Sequence, residues 1–342
     1  MDIFENRSLK KYNSFGIEVT AAYFSNFKTV DELKELLAFK QPSTLNLQPS
    51  TLILGGGSNI LFTQHFNGLV LKNEIDGIEK IKEDDEHVYV KAGAGVNWHR
   101  LLLYCIENNW AGVENLSLIP GKVGASPMQN IGAYGVEIKD VFYELEALHK
   151  ADGNTLVFNL NDCAFGYRES VFKRKYRNQF VITSVTYRLN KKPTFNTSYG
   201  AIEQELEKMN VKELSIRAIS NAVINIRSSK LPNPAEIGNA GSFFKNPEVI
   251  KSLFEKLKTD HPNIVGYDLE NGNVKLAAGW LIEQCGWKGY RKGDAGCHSK
   301  QALVLVNYGN ATGEEIFSLS GEIIKSVKEK FRIELEREVN IT

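Results

Sequence analysis

At 342 residues the chain is long enough for two or three compact units of roughly 150 residues each. Lys plus Arg and Asp plus Glu number 41 apiece, so the formal charge at pH 7 is zero and no overall field draws the chain to a polyanion or a membrane surface. Apolar residues at 42% and charged residues at 24% form an ordinary globular mixture, which excludes disordered, collagen-like and membrane-embedded classes. The longest clean apolar run, Leu276 to Ile282, falls far short of the ~20 residues that span a bilayer. The start, Met1-Asp-Ile-Phe-Glu5, opens on acids without the apolar core of a secretion signal, so a cytoplasmic protein is expected. Cys105, Cys163, Cys285 and Cys297 form no CxxC pair and the histidines no HExxH, so neither a disulfide framework nor a metal is expected.

Thr29-Val-Asp-Glu32 reads as a capping box opening a short helix to about Phe39, with Leu33, Leu36 and Leu37 at helical spacing. A Pro-containing link from Gln41 to Pro49 follows, then a strand at Leu52 to Leu54 that stops at Gly55-Gly-Gly-Ser-Asn59. Strands are expected at Gly68 to Lys72, His87 to Ala92, Tyr143 to His149, Thr155 to Phe158 and Phe180 to Leu189, with one helix near Trp98 to Asn108. The stretch Leu118 to Gly135 is rich in glycine, holds two prolines and shows neither period; so long a segment is uncommon without a function. Asn190 to Leu214 is polar and charged and reads as a linker or insertion. Beyond it come a helix with Ile216, Ile219, Val223 and Ile226 inward, a helix start at Asn246-Pro247, a helix at Leu276 to Cys285 and a buried strand at Ala302 to Asn307. Thr312-Gly-Glu-Glu315 then opens a long helix with Ile316, Leu319, Ile323, Val327 and Phe331 inward, and a last strand is expected at Ile333 to Val339.

Two glycine loops in one unit suit a ligand whose phosphates need close approach of backbone N–H groups, although Gly55 to Asn59 alone is equally a tight turn. The order Gly55-Gly-Gly-Ser-Asn-Ile is not G-x-G-x-x-G, and no P-loop lysine follows, so a dinucleotide here needs another architecture. Arg168, after the Phe165-Gly-Tyr turn, reads singly as a surface ion pair. Ser242 sits in a glycine-flanked turn that could be a helix cap; it is not in a G-x-S-x-G elbow, and no histidine lies near it in sequence. Glu336 and Glu338 share a face if Leu335 to Val339 is a strand, ordinarily a solvated one.

Taken together, nine segments resemble the UDP-N-acetylenolpyruvoylglucosamine reductase family in order and almost end to end. They are Asn13 to Gly16, Leu54 to Leu61, Gly93 to Trp98, Ile119 to Gly135, Phe165 to Arg168, Lys230 to Pro232, Gly238 to Pro247, Lys275 to Ile282 and Leu335 to Val339. The resemblance implies an α+β protein: an FAD-binding domain of the vanillyl-alcohol-oxidase (PCMH) type over 1–190, in two subdomains divided near 65. An insertion over 191–214, a substrate-binding α+β domain over 215–335 and a C-terminal strand over 336–342 complete the expected division. It implies that NADPH reduces the flavin and leaves, and that the flavin then passes hydride to the enolpyruvyl group of UDP-N-acetylglucosamine enolpyruvate, giving UDP-N-acetylmuramate for peptidoglycan. One pocket serving both substrates in turn would give ping-pong kinetics.

By the same resemblance Arg168, Ser242 and Glu338 are the catalytic trio, with Lys230 and Asn246 supporting the serine. Arg168 would fork two N–H bonds to the substrate carboxylate, Ser242 would protonate the carbon, and Glu338 would be either protonated or the anchor of Arg168. Tyr199 matches a mobile tyrosine that closes over the nucleotide, and Lys288 and Gln301 match positions that contact the flavin or the UDP group. Gly55, Gly56, Gly57, Ser58, Asn59, Ile119, Pro120, Gly121, Gly124, Ser126, Asn130, Gly132, Ala133 and Arg227 would hold FAD. The expected partners are the two small-molecule substrates, with no nucleic acid or membrane, and a monomer is expected. Arg337 stands where the family has proline, and Asn340 where an arginine is common. Two rivals remain at this stage: another flavin oxidoreductase on the same scaffold, against which the segments around Ser242 and Glu338 argue, and a catalytically silent nucleotide-sugar sensor.

Overall fold

The computed structural model describes residues 2–39 and 50–342; the link read at Gln41 to Pro49 lies outside them. The chain folds into two compact units assembled from alternating segments. The first comprises Met1–Arg7, Ala21–Gly56 and Asn67–Ser229, and the second Ser8–Thr20, Gly57–Phe66 and Lys230–Thr342. These bounds differ from the continuous divisions 1–190, 191–214, 215–335 and 336–342 because the chain crosses between units within its first 70 residues, which no local composition marks.

The first unit carries two sheets. One runs in the order Phe4–Ser8, Thr20–Phe27, Phe66–Asn73, Ser50–Leu54, its last pair parallel with Ser50 opposite Gly68. The helix Val30–Leu37 lies on it, burying Leu33 and Leu36 with Phe27, Leu69 and Leu71. Thr29 Oγ1 accepts the Glu32 N–H at 3.1 Å and Glu32 accepts the Lys28 N–H at 2.6 Å, which satisfies amides a helix start leaves orphaned. The second sheet runs Thr155–Asn159, Phe142–His149, Phe180–Asn190, His87–Gly93, Ile78–Glu83, antiparallel throughout. Its core includes Leu145, Val185, Tyr187 and Val90, together with Trp98, Leu101, Leu102 and Cys105 of the helix Trp98–Glu107. The strands Phe4–Ser8, Thr20–Phe27 and Ile78–Glu83 escaped the sequence reading. Phe4–Ser8 exposes every side chain and Ile78–Glu83 nearly so, leaving no apolar alternation to read.

The segment read as a linker contains a helix, Gly200–Lys208, and belongs to the first unit. Two apolar residues four apart, Ile202 and Leu206, suffice to bury it on Ile219, Ala222, Val223 and Ile226 of the helix Ile216–Lys230.

In the second unit a sheet ordered Gly238–Ser242, Val304–Asn307, Ala295–Cys297, Arg291–Lys292 accompanies the long helix Gly313–Phe331. That helix has its full capping box and buries Ile316, Leu319, Ile323, Val327 and Phe331 as expected. The helix start expected at Asn246-Pro247 is not formed. The Leu276 N–H donates to the Pro247 carbonyl at 2.9 Å and draws Glu248–Val249 into a small sheet with Val274–Leu276, so the helix begins at Lys251. The expected strand Ile333 to Val339 does not form; Ile333, Leu335 and Val339 are buried, and the stretch is joined by one isolated bridge, Phe244 to Arg337. Regular pairing resumes at Asn340–Ile341, parallel to Ile60–Leu61. No helix among the described residues is long and apolar enough to cross a membrane.

Candidate active site

In the first unit the two glycine loops meet backbone to backbone. A Cβ on Gly56 would stand 3.1 Å from the Gly121 Cα, and one on Gly55 3.5 Å from the Lys122 Cβ. The second loop is laid along residues 94–98 by bonds from the Val123 N–H to Val96 (2.9 Å), the Gly124 N–H to Ala94 (2.9 Å) and the Trp98 N–H to Gly121 (3.1 Å). A Cβ on Gly124 would fall 2.6 Å from that of Ala94, so the approach requires glycine. Leu118, Asn130 and Tyr134 all have positive φ. Leu118 and Tyr134 cost roughly 1–3 kcal/mol each in that region, a strain of the kind that collects at ligand sites.

Arg168 also has positive φ, 54°, and its side chain is 18% exposed. Its guanidinium donates to the carbonyl of Gly132 at 2.5 Å and of Asn130 at 3.4 Å, with Glu137 at 3.9 Å and the Tyr167 ring at 5.2 Å. It is therefore built into the second loop rather than paired on the surface. Asn130, fully buried, ties that loop to the turn bearing Arg168: its amide donates to Glu137 (3.0 Å) and the Gly166 carbonyl (3.1 Å), and its oxygen accepts the Lys139 N–H (3.1 Å). The Ser126 hydroxyl lies buried between the Val123 carbonyl (2.7 Å) and Tyr187 (2.9 Å). These side chains hold the loop's shape.

Arg227 lies beside Tyr134; burial works against its charge, and the bond to the Tyr134 hydroxyl partly offsets that. Its Nε is buried with no hydrogen-bond partner among the described residues. His99, whose Nδ1 accepts the Leu118 N–H at 3.1 Å, is kept below its ordinary basicity by burial and by Arg227. Tyr199 packs edge-on against Tyr134 at 5.4 Å, and its segment is stitched to the second loop by Asn115 to the carbonyls of Tyr134 (3.0 Å) and Asn196 (2.9 Å). Sequence reasoning did not single out Glu137, Tyr134 or His99. Tyr134 and Glu137 fall within or just beyond the glycine-rich stretch, but nothing local marks their partners.

In the second unit Gly57 has φ +62°, and a Cβ there would lie 1.9 Å from the Tyr12 carbonyl oxygen. The Ser14 N–H donates to the Gly57 carbonyl at 2.9 Å, while the Ser14 Oγ is buried and unpartnered among the described residues. Ser242 ends the strand Gly238–Ser242 at a bulge. Asn239 accepts the Gly241 N–H at 3.0 Å, Gly241 takes φ +70°, the register slips, and Ser242 emerges exposed. The Glu338 N–H donates to Phe243 at 2.8 Å and the Lys245 N–H to Glu336 at 2.9 Å, so the backbone of Glu338 lies beside the residue that follows Ser242. Asn59 donates to the Glu338 carbonyl at 3.4 Å, and Asn340 donates through its side chain to the Asn59 carbonyl at 2.9 Å. Asn59, Ser242 and Glu338 are thus gathered in the second unit, while Arg168 lies in the first.

Other candidates have local tasks. Asn246 accepts the Ala278 N–H at 3.0 Å at the start of the helix Ala278–Gln284, Lys288 pairs with Glu283 at 2.9 Å, and Gln301 accepts the Leu303 N–H at 3.3 Å. Lys230 is exposed at the end of its helix.

Residues 22–159 match the family described as FAD binding domain, and residues 233–342 the one described as UDP-N-acetylenolpyruvoylglucosamine reductase, C-terminal domain. Over 341 residues the chain is 54% identical to the UDP-N-acetylenolpyruvoylglucosamine reductase of Amoebophilus asiaticus, covering 100% of this chain and 99% of that one. The chain belongs to the UDP-N-acetylenolpyruvoylglucosamine reductase family. The reductase of Flavobacterium johnsoniae is 52% identical, with 100% of both chains covered. The crystal structure of the Thermus caldophilus enzyme shares the fold at a TM-score of 0.67 and 23% identity, over 99% of this chain and 98% of that one. The fold class is α+β as expected, an FAD-binding domain followed by a reductase C-terminal domain.

As a reductase of this family the chain is an oxidoreductase with an FAD-binding domain. The first unit fits such a group on two observations: two glycine loops packed backbone to backbone at Gly56 and Gly121, and a guanidinium Nε at Arg227 buried without an acceptor among the described residues. Dinucleotides offer acceptors for both kinds of donor.

Proposed function

We propose that this chain reduces the enolpyruvyl group of UDP-N-acetylglucosamine enolpyruvate to UDP-N-acetylmuramate, with NADPH as electron source, in peptidoglycan precursor synthesis. The observation that carries the reading is the 54% identity to a named reductase across the whole chain. FAD would be held by Gly55, Gly56, Gly57, Ser58 and Asn59, by the loop from Ile119 through Pro120, Gly121, Gly124, Gly132 and Ala133, and by Arg227. When bound, the flavin supplies the hydride received by the enolpyruvyl carbon.

The residues of the chain handle the charge and the proton. As electrons enter the alkene, negative charge runs into the carboxylate, and Arg168 receives it with two N–H donors of fixed spacing. The Gly132 and Asn130 carbonyls hold that guanidinium in place beforehand, so little reorganisation remains at the moment of reaction. Ser242, exposed on its bulge, gives its proton to the strongly basic carbon. Glu338 acts in its neutral form, because Glu137 already provides Arg168 with a carboxylate and an ionised Glu338 would repel the developing dianion. Lys230 and Asn246 support Ser242, Tyr199 closes over the nucleotide, and Lys288 and Gln301 contact the flavin or the UDP group. The neutral chain, with small-molecule substrates alone, is read as a cytoplasmic monomer.

The test is optical. The purified protein should show a flavin spectrum that NADPH bleaches and the enolpyruvyl sugar nucleotide restores. A protein that takes up no FAD, or whose bleached flavin ignores that substrate, refutes the reading.

A further inference from the structure

The stretch 332–339 that carries Glu338 is not threaded through a regular sheet among the described residues; its β pairing there is one bridge, Phe244 to Arg337. Backbone bonds hold it on either side of Arg337, from the Lys245 N–H to the Glu336 carbonyl at 2.9 Å and from the Glu338 N–H to the Phe243 carbonyl at 2.8 Å, and side chains set what twist remains. Arg337 makes the connection to the long helix Gly313–Phe331. Its Nε donates to the Ser320 Oγ at 2.7 Å and its guanidinium lies 4.4 Å from the centroid of the Phe317 ring. Ser320 is 0% exposed, and its hydroxyl donates to the Phe317 carbonyl at 2.6 Å, which leaves its oxygen lone pairs for Arg337. A Cβ on Gly321 would stand 3.7 Å from Arg337 Nη2, so the guanidinium lies across one turn of the helix where a glycine keeps the surface low. The next residue back, Glu336, is clamped by buried Lys245 at 2.6 Å.

At the Phe244–Arg337 bridge the chain is locally β-paired, and consecutive side chains of β-paired backbone point to opposite sides. We propose that Arg337, by anchoring to Phe317 and Ser320, is a positioning residue that fixes the direction of Glu338 and so governs proton delivery rather than hydride entry. The inference rests on the role read for Glu338 above. The cation and the ring act together: stacking sets the plane of the guanidinium and the hydrogen bond sets its rotation, which a lysine could only partly reproduce.

The experiment uses the FAD-loaded full chain in stopped flow, following bleaching by NADPH and recovery on adding UDP-N-acetylglucosamine enolpyruvate. Arg337→Met is expected to slow recovery about tenfold or more, as small misplacements of a reacting group do, with bleaching within about twofold of the native rate. Arg337→Lys should regain part of the loss. Ser320→Ala, which keeps the arginine and removes its acceptor, should slow recovery by a smaller factor and serves if Arg337→Met does not fold. Hydrogen exchange at the Glu338 amide should quicken in Arg337→Met while amides within the helix Gly313–Phe331 stay protected. Native recovery rates in Arg337→Met and Ser320→Ala, or equal slowing of both phases, overturn the proposal. Glu338→Gln is run beside them: if it recovers at the native rate, the reading of Glu338 itself fails, whereas slow Glu338→Gln with normal Arg337→Met removes the positioning role alone.

Discussion

Arg168 and Arg227 show how a charged side chain is held by its surroundings. Carbonyls hold the guanidinium of Arg168 and the Tyr134 hydroxyl that of Arg227, and at Arg227 burial works against the charge. Arg168→Lys keeps the charge but loses the fork; recovery of the flavin by the enolpyruvyl substrate should fall roughly 10²-fold while bleaching by NADPH persists. Equal rates of recovery in variant and native protein would count against the carboxylate role. Glu114 offers a test of pH dependence away from chemistry. It is buried, and burial raises its carboxyl above the ordinary 4.5, against the opposing bond from the Gly112 N–H at 2.7 Å. A carboxyl whose folded value is raised binds its proton more tightly in the folded chain, so its contribution is present at low pH and is lost as pH climbs from 4.5 through the folded value. Glu114→Gln keeps an acceptor for Gly112 and does not ionise. Thermal melts should show the variant gaining on the native chain as pH rises through that window; a gap independent of pH would refute the assignment.

At the scale of elements, glycines decide how closely loops pass. Gly56→Ala would wedge a methyl against the Gly121 backbone at 3.1 Å, tighter than ordinary contact, and the protein should purify with less flavin while retaining its melting behaviour. Full flavin content would show that the junction is only a turn. Thr312→Ala removes the cap that accepts the Glu315 N–H at 3.2 Å, an expected loss of about 0.5–2 kcal/mol in denaturant melts. Elements with strong local signals were legible: the helix opened by Thr29, whose hydroxyl accepts the Glu32 N–H, the full capping box at Thr312, the Ile316 to Phe331 stripe and the strand that stops before Gly55. Elements whose stability comes from neighbours were not. Gly200–Lys208 has two apolar residues among charges and becomes a helix by packing on Ile219 and Val223, and Glu248–Val249 is a strand because Val274–Leu276 lies beside it.

At the scale of the whole molecule, the loop Ile119 to Ala133 and Arg168 belong to the first unit, and Gly57 to Asn59, Ser242 and Glu338 to the second. The two halves of the reaction should therefore separate by mutation. Ser242→Ala should bleach normally with NADPH and recover slower by roughly 10²- to 10⁴-fold, the range of positioned acid catalysis. A variant slowed equally in both halves would take the serine out of the proton step.

The amino-acid sequence alone determined the family, because nine segments in order survive any uncertainty about each one, and it determined those helices and strands whose apolar period is complete within themselves. Tertiary structure alone decided which residues share a neighbourhood. Asn59 reaches Glu338 across 279 positions at 3.4 Å, and Ser8–Thr20 and Gly57–Phe66 join a unit whose remainder begins at Lys230. Contacts of that span are set by the summed burial of whole elements, to which each local pattern contributes only a part, and so no window of sequence contains them.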